Sequence, residues 1–231
     1  MNNILMLVPM KPNLHPALKA RCRENCDRIR KLSHHLVEVV IDESGPGDGH
    51  VKTLEERVTH TSAIKNAMIA KYLNRARCSH VFWMDSDIWY ISPMIIDNLL
   101  QRSEGHEILA PCVMGWFPIR LPNTLAKCGS WYDTAGFVTM KGKNLNFLSP
   151  HGYENQLDST GRVEMDGVGC VYLVPAEVYL AGAKHENVPG FTDHLAICRF
   201  ARRIGVKSYL VPDEFVFHAY LPDFGETLHK P

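Results

Sequence analysis

The sequence predicts an α/β fold: a single domain with a mostly parallel central sheet, helices flanking it and a small late antiparallel portion. Three observations predict it. Short apolar runs, NILMLVP (3–9), HLVEVVID (35–42), HVFWM (80–84) and EILAPCVM (107–114), alternate with stretches of helical spacing, as expected of parallel strands buried on both faces by crossover helices. The chain has 231 residues, a length one such domain commonly fills. It is 45% hydrophobic and 22% charged, enough for a sizeable core and unlike a disordered chain.

Each element has its own signal. The first run closes at Pro9 and Pro12, and helical spacing follows from about His15 to Leu32. The second run ends in Asp42, and ESGPGDGH then reads as a loop, with glycines at 45, 47 and 49. Its glycine spacing and its place after the second strand exclude a dinucleotide fingerprint. Residues 53–75 carry helical spacing through Ile64, Met68 and Leu73. HVFWM is the third strand, and PMIIDNLLQRS reads as a helix with Pro93 near its start. Periodicity is lost from about 115 to 165, where Trp116, Phe117, Trp131 and Tyr132 cluster, and so long an irregular stretch usually serves function. GVGCVYLVPAEVYLAGA then reads as a strand and a short helix, FTDHLAICRFARRIG as an amphipathic helix, and VKSYLVPDEFVFHAYLP as a pair of short strands.

Composition narrows the function classes. Twenty-five basic residues balance twenty-five acidic ones, so the bulk attraction of a nucleic-acid protein is missing. Seven cysteines are scattered without a C-x-x-C pair, which reads as reduced thiols in a cytoplasmic setting rather than a disulfide or zinc framework. The N-terminal apolar run is too short for a signal peptide or a membrane span, so no membrane insertion is expected.

The chemistry concentrates in VFWMDSDIW (81–89). Asp85 and Asp87 stand at the carboxyl end of the third strand, where open α/β sheets bind ligands. Two carboxylates so close repel each other unless a cation neutralises them. Mg²⁺ and Mn²⁺ prefer oxygen ligands and keep positions open for phosphate oxygens. The pattern suits a metal bridge to a diphosphate; a solvated turn is the plain alternative.

FWMDSDIWYISP resembles the D-x-D segment of the GT-A-fold, Rossmann-like glycosyltransferases. VEMDGVGCVYLVPAEVYLAGA (163–183), with the segment from Val188 to Tyr220, resembles the fungal Golgi mannosyltransferases that extend N-glycan outer chains. Unlike that family, the chain shows no membrane anchor, and Cys170 stands where a glycine is expected. The resemblance implies one glycosyltransferase domain over 1–231, with a nucleotide-sugar-binding half (1–110) and an acceptor half (111–231). It implies Mn²⁺ or Mg²⁺, a nucleotide diphosphate sugar as donor (GDP-mannose or a UDP-hexose), and retention of anomeric configuration.

On that resemblance Asp85 and Asp87 hold the metal and the donor diphosphate, and His218 completes the metal shell, unless it is a satisfied histidine at a sheet edge. Glu164 and Asp166 meet the transferred hexose, or form an acidic turn. Asp193 is a general base near the acceptor, or a carboxylate partnering a helix N-terminus. Pro9 and Asp42 lie where the nucleoside is expected. Arg57, Lys65 and Asn66 lie on the next helix within reach of phosphate, or serve solubility. Trp116, Trp131 and Tyr132 form an acceptor platform or pack in the core. The acceptor is a glycan or a modified nucleic-acid base, so DNA is a possible partner. Two other classes stay open: a nucleotidyltransferase acting on sugar phosphates, although VPMKPNLHP lacks the glycine-rich loop, and a non-catalytic nucleotide-sugar-binding module.

Overall fold

A computed structural model describes residues 1–44, 53–121, 124–131, 137–142 and 157–219, with the backbone alone at 54, 74–76, 116–121 and 124–131. The glycine-rich loop, Tyr132 and the side chains of Trp116 and Trp131 lie outside the described residues. In chain order the elements are β1 (Asn3–Pro9), α1 (Pro16–Leu32), β2 (Leu36–Asp42), α2 (Leu54–Ala76), β3 (His80–Met84), β4 (Ile88–Ile91) and α3 (Ile95–Gln101). There follow β5 (Glu107–Leu121), β6 (Thr124–Trp131), β7 (Val138–Thr139), β8 (Val163–Gly167), β9 (Val171–Pro175), α4 (Ala176–Leu180), α5 (His194–Arg203) and β10 (Lys207–His218).

The fold is α/β, with a mostly parallel central sheet ordered β2-β1-β3-β9-β5-β10-β8-β7. β1 runs parallel to both β2 and β3, and β5 runs parallel to β10. β9 enters antiparallel between β3 and β5, so the antiparallel portion reaches the centre of the sheet. Ile4 to Val8 and Val171 to Val174 are at most 1% exposed. Burial on both faces explains why these strands read as unbroken apolar runs whatever their direction.

Local chemistry starts the helices. Pro16 opens α1, and His15 Nδ1 accepts the Ala17 N–H. Thr53 and Glu56 form a reciprocal capping box at α2. Three elements differ from the sequence expectation. β4 follows the Asp85–Asp87 turn directly and pairs with β10. The aperiodic middle contains a β5–β6 hairpin. The two late strands are one, β10, whose register shifts between Val211 and Phe215 where Pro212 removes a ladder donor.

Parallel alignment places the carboxyl ends of β1, β2 and β3 on one edge. Pro9 pairs with Asp42, and the Met10 N–H donates to the Asp42 carbonyl. β10 reaches the same edge, because the Ala219 N–H donates to the Asp87 carbonyl at 2.9 Å. Among the described residues no helix is long and apolar enough to cross a membrane.

Arg162 fastens the turn before β8. Its guanidinium is 1% exposed, lies 4.2 Å from the Tyr209 ring, and meets Asp158 at 2.9 Å, Glu104 at 2.8 Å and the Arg102 carbonyl at 2.9 Å. Replacing Arg162 with alanine should destabilise the protein by about 3 kcal/mol, near the low end for a broken buried pair because the acids keep access to water; a chemical denaturation curve measures it. Burial alone would raise the Asp158 carboxyl, but hydrogen bonds from Arg162 and Thr160 bring it down from 3.8 to about 2. A carboxyl lowered on folding stabilises above its unfolded value, so this contribution is complete above pH 4 and fades as pH falls through about 2. Acid titration of stability should lose that component in Asp158→Asn.

Candidate functional site

A cavity of about 200 Å³ opens at the shared carboxyl edge. Its walls include Pro9, Met10 and Lys11 after β1, Asp42 at the end of β2, and Arg57, His60 and Lys65 on α2. Asp85 and Asp87, Cys170, Asp193, His194 and His218 complete it. Residues far apart in sequence meet there because parallel strands deliver their connecting loops to one side.

Asp87 and His218 form the tightest charged contact in this cavity. Nε2 of His218 lies 3.0 Å from Oδ1 of Asp87, and both residues are buried. Burial opposes charge on Asp87, yet the imidazole beside it, with Lys11 further off, holds the carboxyl well below the usual range. Burial likewise works against the imidazolium, and the Asp87 carboxylate outweighs it and raises the His218 pKa. Nδ1 of His218 lies 2.8 Å from the Ala219 carbonyl, which assigns that nitrogen a proton. Nε2 and the carboxylate oxygen then need a proton or a metal ion between them. The Asp87 carboxylate and the His218 imidazole, with its outer nitrogen anchored, are donors of a kind that suits Mn²⁺ better than Mg²⁺; the trio of described residues whose ligand atoms lie within 4.8 Å of one another is a different one, His185, Asp193 and His194. Asp85 shares the cavity, and its N–H donates to the Cys170 carbonyl at 3.2 Å.

A second charged group is buried in the wall. Nζ of Lys65 lies 3.1 Å from Oδ2 of Asp193 and 3.2 Å from Nδ1 of His194, and Nδ1 of His185 lies 2.9 Å from the same Oδ2. The approaches to Oδ2 are off the hydrogen-bond directions, so Lys65 acts there chiefly as a charge. Burial would raise the Asp193 carboxyl; His194, Lys65 and His185 outweigh it and hold the group well below the usual range. Burial lowers His194 to about 3, so at neutral pH the cation facing Asp193 is the ammonium. His185, Asp193 and His194 carry ligand atoms within 4.8 Å of one another, but Lys65 already supplies their counter-charge.

Behind this group, Trp83 Nε1 donates to the Tyr179 hydroxyl at 2.7 Å, and that hydroxyl lies 3.3 Å from His185 Nε2. Asn66 is part of this support. Its side chain bonds both the N–H and the carbonyl of His185, which takes it away from the cavity. Glu164 and Asp166 also stand outside the cavity lining. Glu164 pairs with Arg202 and Lys207, and Asp166 with Arg199, so both carboxylates are spent on α5 and the start of β10. Gly167 serves the same packing: a Cβ there would sit 2.9 Å from Leu195 Cδ1. Asp42 does face the cavity, but its oxygens accept from Ser44 and the Tyr72 hydroxyl. Sequence reasoning passed over Lys11, His60 and His185. Lys11 follows the first strand directly, and His60 lies three residues after Arg57 on the same helix face.

Cys170 has φ of 59°, the left-handed conformation that favours glycine. That conformation accounts for the glycine expected at this position.

No family model matches the chain, and no curated protein matches its sequence. Solved structures that resemble it include a protein from STIV, with TM-score 0.45 and 10% identity over 99% of this chain and 97% of that one. Another is a glycosyltransferase involved in glycosylation of the major capsid of PBCV-1, with TM-score 0.40 and 11% identity over 96% and 88%. GalNAc-T7 with UDP, GalNAc and Mn²⁺ gives TM-score 0.44 and 11% identity over 95% of this chain and 44% of that one. Likeness at this level assigns no substrate and no residue role to the present chain. No family or curated match supports the resemblance to fungal mannosyltransferases.

Two substitutions probe this wall. Lys65→Ala leaves Asp193 buried without its cation and should destabilise by about 3–5 kcal/mol in thermal or denaturant unfolding. Cys170→Gly relieves the left-handed backbone and should be more stable than Cys170→Ala by about 1 kcal/mol.

Proposed function

We propose that the protein is a metal-dependent glycosyltransferase that moves a hexose from a nucleotide diphosphate sugar to an acceptor hydroxyl. The observation that carries this reading is the buried Asp87–His218 pair, facing one cavity with Asp85, Lys11 and Arg57. Asp87 and His218, with Asp85, are the residues that would hold Mn²⁺ or Mg²⁺. Bound there, the ion neutralises charge on the departing diphosphate.

The residues of the chain divide the remaining work. Lys11 and Arg57 attract the phosphates, and Pro9 and Asp42 border the nucleoside. The bond between the anomeric carbon and the diphosphate oxygen breaks, and the nucleoside diphosphate leaves with the electron pair. The acceptor oxygen forms the new bond, and its proton passes to the diphosphate or to solvent. Asp193, held ionised by Lys65, is a poor proton acceptor; its role here is to orient hydroxyl groups. Glu164 and Asp166 act through α5, which begins directly after Asp193, and are positioning residues. The mannosyltransferase resemblance favours GDP-mannose over a UDP-hexose and favours retention of configuration. Lys11, basic and next to β1, favours a second reading, a nucleotidyltransferase acting on sugar phosphates.

Thermal unfolding with Mn²⁺ and each nucleoside diphosphate tests the site. One diphosphate at a hundredfold excess over its Kd should raise Tm by about 5–10 °C, and Asp87→Ala should abolish that rise. No rise with any diphosphate would refute the donor site. Turnover releasing a nucleoside diphosphate supports hexose transfer, whereas release of pyrophosphate supports nucleotidyl transfer.

A further inference from the structure

The ladder between β4 and β10 carries one residue too many. Tyr90 is the register partner of Phe217, whereas the partner of His218 is Ile88, and the register shifts between Phe217 and His218. Trp89 is therefore the extra residue of a β-bulge, two residues after Asp87. Side chains alternate along a strand with a period of two, so a slip of one residue turns them to the opposite face. Closing this bulge would shift the chain before it by one residue and carry Asp87 away from His218, its partner at 3.0 Å. The register at Ile88 thus decides whether the Asp87–His218 pair forms.

Two side chains of α1 hold the bulge. Asn25 Nδ2 donates to the Ile88 carbonyl at 3.1 Å, and the Arg21 guanidinium lies 4.8 Å from the centre of the Trp89 ring. Asn25 is 2% exposed and stands on the buried face of α1 with Leu18, Cys22, Cys26 and Ile29. An asparagine there costs both helix propensity and desolvation, and an apolar residue would fill the position without either cost. What it contributes is its bond. The same turn is held from the Gly169–Cys170 side by the Asp85 N–H on the Cys170 carbonyl, and from β10 by the Ala219 N–H on the Asp87 carbonyl. Of these three anchors, Asn25 supplies the one made by a side chain.

We infer that Asn25 is a positioning residue: it fixes the register of β4 and so holds Asp87 where it can bind a divalent ion with His218. This role rests on the metal-dependent reading above and adds to it a residue that does not line the cavity. Binding of Mn²⁺, followed by the EPR signal of the free ion at a temperature where every variant is folded, tests it in the wild type, Asn25→Leu, Asn25→Ala and Ile29→Ala. Leucine keeps the bulk of the side chain and removes the donor. Ile29→Ala keeps the donor and opens the packing one turn along the same face. The Kd for Mn²⁺ should rise about 10-fold in both Asn25 variants, as when the support behind a metal ligand is lost. It should stay near wild type in Ile29→Ala, although that change lowers Tm at least as far. Equal Mn²⁺ affinity in the wild type and the Asn25 variants overturns the positioning role and leaves the metal site standing. An equal loss in Ile29→Ala also overturns it, since stability rather than register would then set the affinity. A wild type without affinity for Mn²⁺ refutes the metal site itself, and the positioning role with it.

Discussion

Asp87 carries its charge where water barely reaches, and the site is built around keeping it charged. A carboxylate in such surroundings survives only against a nearby cation. The His218 imidazole, its pKa raised by the Asp87 carboxylate, stands 3.0 Å away on the last described strand. The backbone bond from Ala219 to Asp87 fixes the distance, so strand pairing and electrostatics enforce the same geometry. In the proposed function a divalent ion would answer the same need for positive charge and leave positions for phosphate oxygens.

The same principle recurs a few residues away with a different cation. Lys65, 1% exposed, neutralises Asp193 in a wall of aromatic rings and neutral histidines. An ammonium tied into the fold in this way cannot be exchanged for a metal without leaving a second uncompensated charge. The cavity thus sets the Asp87–His218 pair in one wall and the Lys65–Asp193 pair in another. Asp85 and Asp193, both acidic and both facing the cavity, therefore stand in different electrostatic settings. Glu164 and Asp166 stay out of the cavity because Arg202 and Lys207 hold the first and Arg199 the second, pairings that seat α5 and the start of β10.

Much of the fold was legible because strands buried on both faces leave continuous apolar runs, and β1, β2, β3 and the first half of β5 show them clearly. β4 was harder to see, since four residues with two exposed aromatics resemble the tail of a turn. The β5–β6 hairpin was hidden by glycine and proline, and the direction of β9 leaves no trace in a strand that is apolar throughout. Their closeness in sequence singled out Asp85 and Asp87, and both line the cavity. His218 was reachable only through the family resemblance. The Lys65–Asp193–His185 cluster had no local signature, because its members come from separate elements and are joined only by packing. Asn66 shows the converse: a polar residue on the right helix, one position round from the cavity, meets a backbone instead of a ligand.

The fastening of β10 to the Asp87 turn also has a consequence in time. Twin acids emerge well before the histidine that compensates them, which lies near the end of the described residues. Closing that contact requires most of the intervening polypeptide to be in place, a slow, long-range step. A growing chain therefore holds the acidic turn without its partner until β10 has been made.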